Sequence, residues 1–423
     1  MPFAGHVRPM TAVAAALIDR GHRVDAYTGE RHADAFAAVG CGIVPWRAAR
    51  DFDERRLAST FPGVGQSGLR GVAANLRDVF IGTAAGQVAD LREAHRRDRI
   101  DALVGDVVAL GTGLTAELIN RPWVSVSTVP LGLPSDDLPP SGLALQPGSS
   151  IVGRLRDRAL RAAMPTAGAR IERAFQSLRG ELDLGPGLPF AEAIHSPQLT
   201  LATGSPSLEY PRSDLPETVR FVGLLEPRDR PFAPPPLWAE TLSEEPRPVV
   251  FITQGTFDTD PHQLLLPALE GLADMPVRVV GTTAGAAVER VPANARLVDF
   301  VPYPAVVPHA AVGITNGGWG GVLEMLSYGV PLVVAGARLD EPEVAARVAR
   351  SGAGLDLHSG HPRPARIAAA VRRLLREPAY RARARSIAIE LRALGGAPRA
   401  ARLIDELLGP GLAATDQSLP EAA

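Results

Sequence analysis

The sequence predicts an α/β protein of two domains. Short apolar runs that read as buried strands, such as Val249-Val250-Phe251-Ile252 and Pro331-Leu332-Val333-Val334-Ala335, alternate with helical runs whose apolar residues share one face, such as Val322, Leu323, Met325 and Leu326. The 423 residues exceed what one ordinary core organises. A tract holding Pro227, Pro231, Pro234, Pro235 and Pro236 has the composition of a semi-rigid linker. It follows Phe221-Val222-Gly223 and sets the expected domains at 1–222 and 223–410, with 411–423 a disordered tail.

Composition narrows the function. With 44 cationic and 46 acidic residues the net charge is −2, and no basic stretch offers an electrostatic footprint for nucleic acid. Cys41 is the single cysteine, so no internal disulfide framework exists. No apolar run is long enough to span a bilayer, and the expectation is a cytoplasmic enzyme. Every cation is arginine and alanine is abundant, which reads as the codon bias of a GC-rich bacterial genome.

In chain order, Gly5-His6-Val7-Arg8-Pro9 precedes a helix with apolar Val13, Leu17 and Ile18, ended by Gly21-His22. Residues 24–27 read as a strand. Residues 100–106 form another, which ends in Asp106, either a cap for the following helix or a carboxylate that orients a base. Gly111-Thr112-Gly113-Leu114-Thr115-Ala116 has the form of a dinucleotide fingerprint, but it does not follow the domain's first strand. No acidic residue ends the next strand, residues 123–127, so the match carries no weight. A loop rich in Pro, Gly and Ser spans residues 131–150, followed by an arginine-bearing helical stretch.

In the second domain, the strand from Val249 ends in Thr253-Gln254-Gly255-Thr256, a small turn bearing hydroxyls. Ala311-Val312-Gly313-Ile314 reads as a buried strand leading to Thr315-Asn316-Gly317-Gly318-Trp319-Gly320-Gly321 and then a helix. Asn316 is placed as the helix N-cap. The glycines either pack helix closely on strand or let an anion approach free N–H groups at the positive helix end. Gly329-Val330-Pro331 opens the next strand, after which Arg338-Leu339-Asp340-Glu341-Pro342-Glu343 places carboxylates at a strand C-terminus, where open α/β sheets bind ligands. These acids suit hydroxyl recognition, or simply an acidic first helical turn.

These residues resemble the family 1 glycosyltransferases, whose fold is called GT-B, and the resemblance spans most of the chain. Gly317, Gly318, Glu324, Gly329-Val330-Pro331 and Asp340-Glu341 match the family pattern in order, and Gly5-His6-Val7-Arg8-Pro9 matches its opening "GHxxP" turn. The resemblance implies an α/β fold of two Rossmann-like domains facing across a cleft. It assigns the diphosphate to Asn316, Gly317, Gly318, Gly320, Gly321 and the turn of Thr253, Gly255 and Thr256. It assigns the ribose hydroxyls to Glu324, the sugar hydroxyls to Asp340 and Glu341, and the base-stacking position to Phe300, beside Val301, where core packing is the alternative. His6 becomes the general base, oriented by Asp106. Residues 131–150 and the following helix are expected to shape the acceptor pocket, and the last helices, around residues 365–408, to brace the first domain.

The chain departs from the family at three of these positions: Asn316 replaces histidine, Gly321 a hydroxyl residue and Phe300 tryptophan. Asn316 cannot become cationic, so stabilisation of the diphosphate shifts toward backbone N–H groups. A central strand is also expected before the "GHxxP" turn, and the expected true start lies upstream of Met1. The strings Asp51-Phe52-Asp53 and Asp258-Thr259-Asp260 have a spacing used by metal-dependent sugar transferases of another fold, but the resemblance implies no metal and no cofactor.

The expected activity is inverting, metal-independent transfer of a hexose from a UDP- or dTDP-sugar to a hydroxyl of a lipophilic acceptor of polyketide, macrolide or polyphenol type. The protein would act as a monomer or homodimer, without nucleic-acid or integral membrane partners. The rival readings are a catalytically impaired auxiliary or binding protein, and a nucleotide-sugar epimerase, which would need no acceptor.

Overall fold

The computed structural model describes residues 1–64, 71, 73–226, 237–255 and 260–409. Six strands of the carboxyl half form one parallel sheet: β7 (Val249–Thr253), β8 (Arg278–Thr282), β9 (Ala295–Val298), β10 (Ala310–Thr315), β11 (Leu332–Val334) and β12 (Gly354–Asp356). Their order is β12-β11-β10-β7-β8-β9. The amino half supplies β1 (Asp25–Thr28) paired with β2 (Gly42–Pro45), and a parallel sheet of β3 (Leu103–Asp106), β4 (Trp123–Ser127), β5 (Thr200–Thr203) and β6 (Val219–Gly223). Among the described residues β1 pairs only with β2 and β3 only with β4, so the amino half holds two sheets rather than one.

The continuous apolar character of the central strands reflects burial on both faces. Along β7, Phe251 packs with Met325, Leu326 and Val334 on one side, while Val250 and Ile252 pack with Leu265, Ile314 and Ile367 on the other, as the two-residue strand period requires. The helices Trp319–Ser327 and Pro378–Ala393 cover the first face, and Leu265–Leu272 and Pro364–Arg376 the second. The last helix, Gly396–Leu408, crosses back to the amino half. Its Ala400, Ala401 and Ile404 join Ala12, Val13 and Leu17 over Val124, Val126 and Leu201. His22 and Arg20 both reach Asp405 on that helix.

Register places the site. Thr253, Thr315 and Val334 are paired neighbours, so β7, β10 and β11 end at one level, and the turns after them share one edge. In the amino sheet, Asp106 is level with Val126 and Ser127 with Ala202, so Asp106, Thr128 and Thr203 gather on the corresponding edge. The two edges face each other.

Two expectations are corrected, and the discounted glycine string is placed. The "GHxxP" segment lies within the helix Ala4–Ile18 rather than before it: the Ala4 N–H is satisfied by Glu54 Oε2 at 2.8 Å, and Pro9 lies inside the helix, where it lacks the N–H that would bond the Gly5 carbonyl. Asn316 is not the N-cap, because the helix begins at Trp319 after Gly318. The Gly111–Ala116 string lies in the helix Gly111–Ile119, and its glycines admit neighbours: a Cβ on Gly111 would fall 2.3 Å from Gln87 Cβ, and one on Gly113 3.0 Å from the Trp123 ring.

Candidate active site

The amino half brings His6 to the cleft from the first turn of its helix. Its Nδ1 lies 2.7 Å from Asp106 Oδ2, although 100 residues separate the two. Asp106 is buried; burial would raise its carboxyl, but the charge and hydrogen bond of His6, with the Met1 amino group and the Val108 N–H, hold it at about 2. An ionised carboxylate only accepts, so Nδ1 carries the proton between them, and in a neutral ring the lone pair falls on Nε2. Thr128 completes the group: its Oγ1 lies 2.8 Å from His6 Nδ1 and donates to Asp106 Oδ1 at 3.2 Å. Sequence reasoning missed Thr128; the signal was a hydroxyl just past the end of β4, two residues beyond Val126, the partner of Asp106.

The carboxyl half supplies the opposite wall. Gly317 has φ +104°, and a Cβ there would meet Val334 Cγ1 at 2.9 Å, so this glycine is required by the turn and its packing. Gly318 and Gly320 differ: a Cβ at either would meet nothing within 4 Å, so their backbone borders open space at a helix N-terminus. A Cβ on Gly321 would lie 3.1 Å from the Tyr303 hydroxyl, which donates to Thr253 Oγ1 at 3.3 Å. Gly255 follows at φ +71°, and Thr256 lies outside the described residues, as do Asp258 and Thr259.

The acidic pair divides its duties. Glu341 is buried and accepts from Asn316 Nδ2 at 2.8 Å through Oε1, and from the N–H groups of Ala337 and Arg338 at 3.0 and 2.9 Å through Oε2. It fixes the turn after β11 to the glycine turn, and this is where the Asn316 amide goes. Asp340 makes no side-chain capping bond at the start of the helix Glu341–Ser351. Burial raises its carboxyl above the ordinary value, while His6 is near enough across the cleft to pull it down.

Glu324 is 1% exposed and meets Arg8 Nη2 at 2.9 Å; burial raises its carboxyl in spite of that guanidinium. Phe300 is 67% exposed, which rules out the core-packing alternative, whereas Val301 is wholly buried.

Contacts between the halves surround this cleft. The buried Arg347 bridges Glu209 at 3.0 Å and Glu343 at 2.6 Å, over the Tyr210 ring. Glu343 Oε1 also accepts from Gly142 and Ala144 at 2.8 Å, so the helix carrying Glu341 holds the loop of residues 131–150. Beyond that loop, the helix Ile151–Ala167 exposes Ile151, Val152 and Leu155.

Two parallel α/β units, a carboxylate-oriented histidine on one and an open helix N-terminus on the other, define a GT-B transferase architecture. Comparisons with known proteins agree. Residues 267–406 match the erythromycin biosynthesis protein CIII-like C-terminal domain. The chain is 39% identical over 417 residues to 4'-demethylrebeccamycin synthase of Lentzea aerocolonigenes, covering 96% of this chain and 98% of that protein. It is 31% identical to UDP-glucosyltransferase 1 of Beauveria bassiana, covering 92% and 90%. The solved glycosyltransferase of kitacinnamycin superposes with TM-score 0.72 at 25% identity, over 96% of this chain and 97% of that one. The calicheamicin glycosyltransferase shares the fold at TM-score 0.72 and 24% identity, over 95% of each chain. The chain belongs to the family 1 natural-product glycosyltransferases and is a sugar-transferring enzyme.

Proposed function

We propose that the enzyme moves a hexose from a UDP- or dTDP-sugar to a hydroxyl of a lipophilic natural product, with inversion and without a metal. The observation that carries this reading is the group of His6, Asp106 and Thr128 facing Asp340 across the cleft. In this reading His6 Nε2 takes the acceptor proton as its oxygen attacks the anomeric carbon. Asp106 and Thr128 hold the tautomer and stabilise the imidazolium. Asp340 receives sugar hydroxyls, Phe300 stacks on the base, and the diphosphate leaves toward the N–H groups after Gly317. Glu341 contributes by holding the turn, and Asn316 by holding Glu341.

The names of two relatives support the substrate classes: one is a rebeccamycin-type synthase and the other a UDP-glucosyltransferase. The enzyme would work in the cytoplasm as a monomer or homodimer; no described helix is long and apolar enough to cross a membrane. The test is nucleoside diphosphate release from a panel of UDP- and dTDP-sugars with pooled polyphenol, polyketide and macrolide acceptors, repeated in excess chelator. Acceptor-dependent release that persists with chelator supports the reading. Donor binding without turnover points instead to an auxiliary protein, and loss with chelator overturns the metal-free mechanism.

A further inference from the structure

Residues 315–321, the turn that faces the departing diphosphate in the reading above, contain no Lys, Arg or His. When the anomeric C–O bond breaks, its electron pair stays on the diphosphate oxygen, while the acceptor oxygen makes the new bond and gives its proton to His6. The leaving group thus gains a full negative charge beside a turn that offers only dipoles.

We propose that Arg8, reaching across from the opposite half, supplies the positive charge that meets the diphosphate. The inference rests on the donor-site reading. Arg8 lies two residues after His6 on one helix, about 200° around its axis, so the turn that points the base at Asp106 points the guanidinium toward the other half. There it contacts Glu324 on the helix whose open end is the diphosphate cradle. Side chains on a helix lean toward its N-terminus, which brings the Glu324 carboxylate back beside Gly320 and Gly321, about one turn from the Gly318 backbone. Tyr303 caps the same place, its hydroxyl lying against Gly321.

The guanidinium is also free to serve. Its contacts to Glu324 at 2.9 Å and Glu226 at 3.1 Å both use Nη2. Among the described residues no bond is made by Nη1 or Nε, and the side chain is 43% exposed. With five N–H groups, Arg8 keeps Glu324 and still offers donors to a phosphate. Glu324 holds the cation in place before the donor arrives.

The test compares wild type, Arg8→Met and Arg8→Lys in two assays: binding of UDP and dTDP against uridine and thymidine, and kcat and KM for the donor. Arg8→Met should weaken diphosphate binding about tenfold, leave nucleoside binding within about twofold, and lower kcat about a hundredfold. Arg8→Lys should recover part of each, and adding Asn316→His to Arg8→Met should restore part of kcat by returning a cation to the turn. Equal weakening of nucleoside and diphosphate would reduce Arg8 to a prop for Glu324 and overturn the inference. So would an Arg8→Met enzyme with unchanged kcat and diphosphate affinity. Wild type that binds neither diphosphate overturns the donor-site reading and this inference with it.

Discussion

The indole Nε1 of Trp319 donates to Thr203 Oγ1 at 2.9 Å, which ties the glycine turn of the second sheet to the carboxyl edge of the first. Trp319 is buried, and a Cβ on Gly204, at φ +90°, would fall 2.6 Å from its ring. The tryptophan in the glycine turn therefore sets how the two halves meet.

Trp319→Phe keeps most of the ring and removes the donor; Thr203 still donates to the Ser127 carbonyl at 2.7 Å. Urea unfolding should show a loss of about 1 kcal/mol. The rate of transfer should fall as well, because a small shift of the turn misplaces the leaving group. Unchanged kinetics with the stability loss would show that the bond supports the fold alone.

Asp340 and Glu341 should separate. Asp340→Ala should leave the thermal midpoint nearly unchanged and lower kcat/KM about a hundredfold, as its carboxylate makes no capping bond. Glu341→Ala strands the Asn316 amide and the Ala337 and Arg338 N–H groups and should cost about 3 kcal/mol in urea. The reverse pattern would assign sugar recognition to Glu341.

Much of this arrangement was legible in the sequence. The strands showed as continuous apolar runs because both sheet faces are covered, and the glycine turn and following acids fell on one edge because β7, β10 and β11 end in register. The His6–Asp106 pair was reachable only through the family pattern, since nothing local links residues 100 positions apart. The helix start at Ala4 was hidden by Pro9, which reads as a boundary until Glu54 is seen to receive the first N–H. The Asn316–Glu341 bond and the Trp319–Thr203 bond were invisible for the same reason: a polar group declares no distant partner until the fold supplies one.

Asp106 makes a pH-dependent contribution whose sign follows from its lowered carboxyl. The folded value of about 2 lies below the ordinary 3.8, so the stabilisation is present above pH 3.8 and is lost as pH falls through 2. It amounts to about 2 kcal/mol. Asp106→Asn should remove that acid-limb loss and lower kcat about a thousandfold, because the amide no longer fixes the tautomer. Acid unfolding curves with and without the substitution check the first part, and turnover the second.

His195 supplies a second slope at higher pH. It is 5% exposed, with no bond to either ring nitrogen among the described residues, and burial, helped by Arg212, lowers it from 6.5 to about 4. A depressed value means the stability is complete above pH 6.5 and declines as pH falls through 4, by about 3 kcal/mol. His195→Leu should flatten the unfolding free energy between those limits, and an unaltered slope would place the titrating group elsewhere.

The central claim is that His6 removes the acceptor proton. The most direct measurement is acceptor-dependent nucleoside diphosphate release by His6→Ala beside wild type, with diphosphate affinity measured on both proteins. The account predicts a fall in kcat of about a thousandfold with affinity within about twofold. A His6→Ala enzyme that keeps the wild-type rate would contradict it.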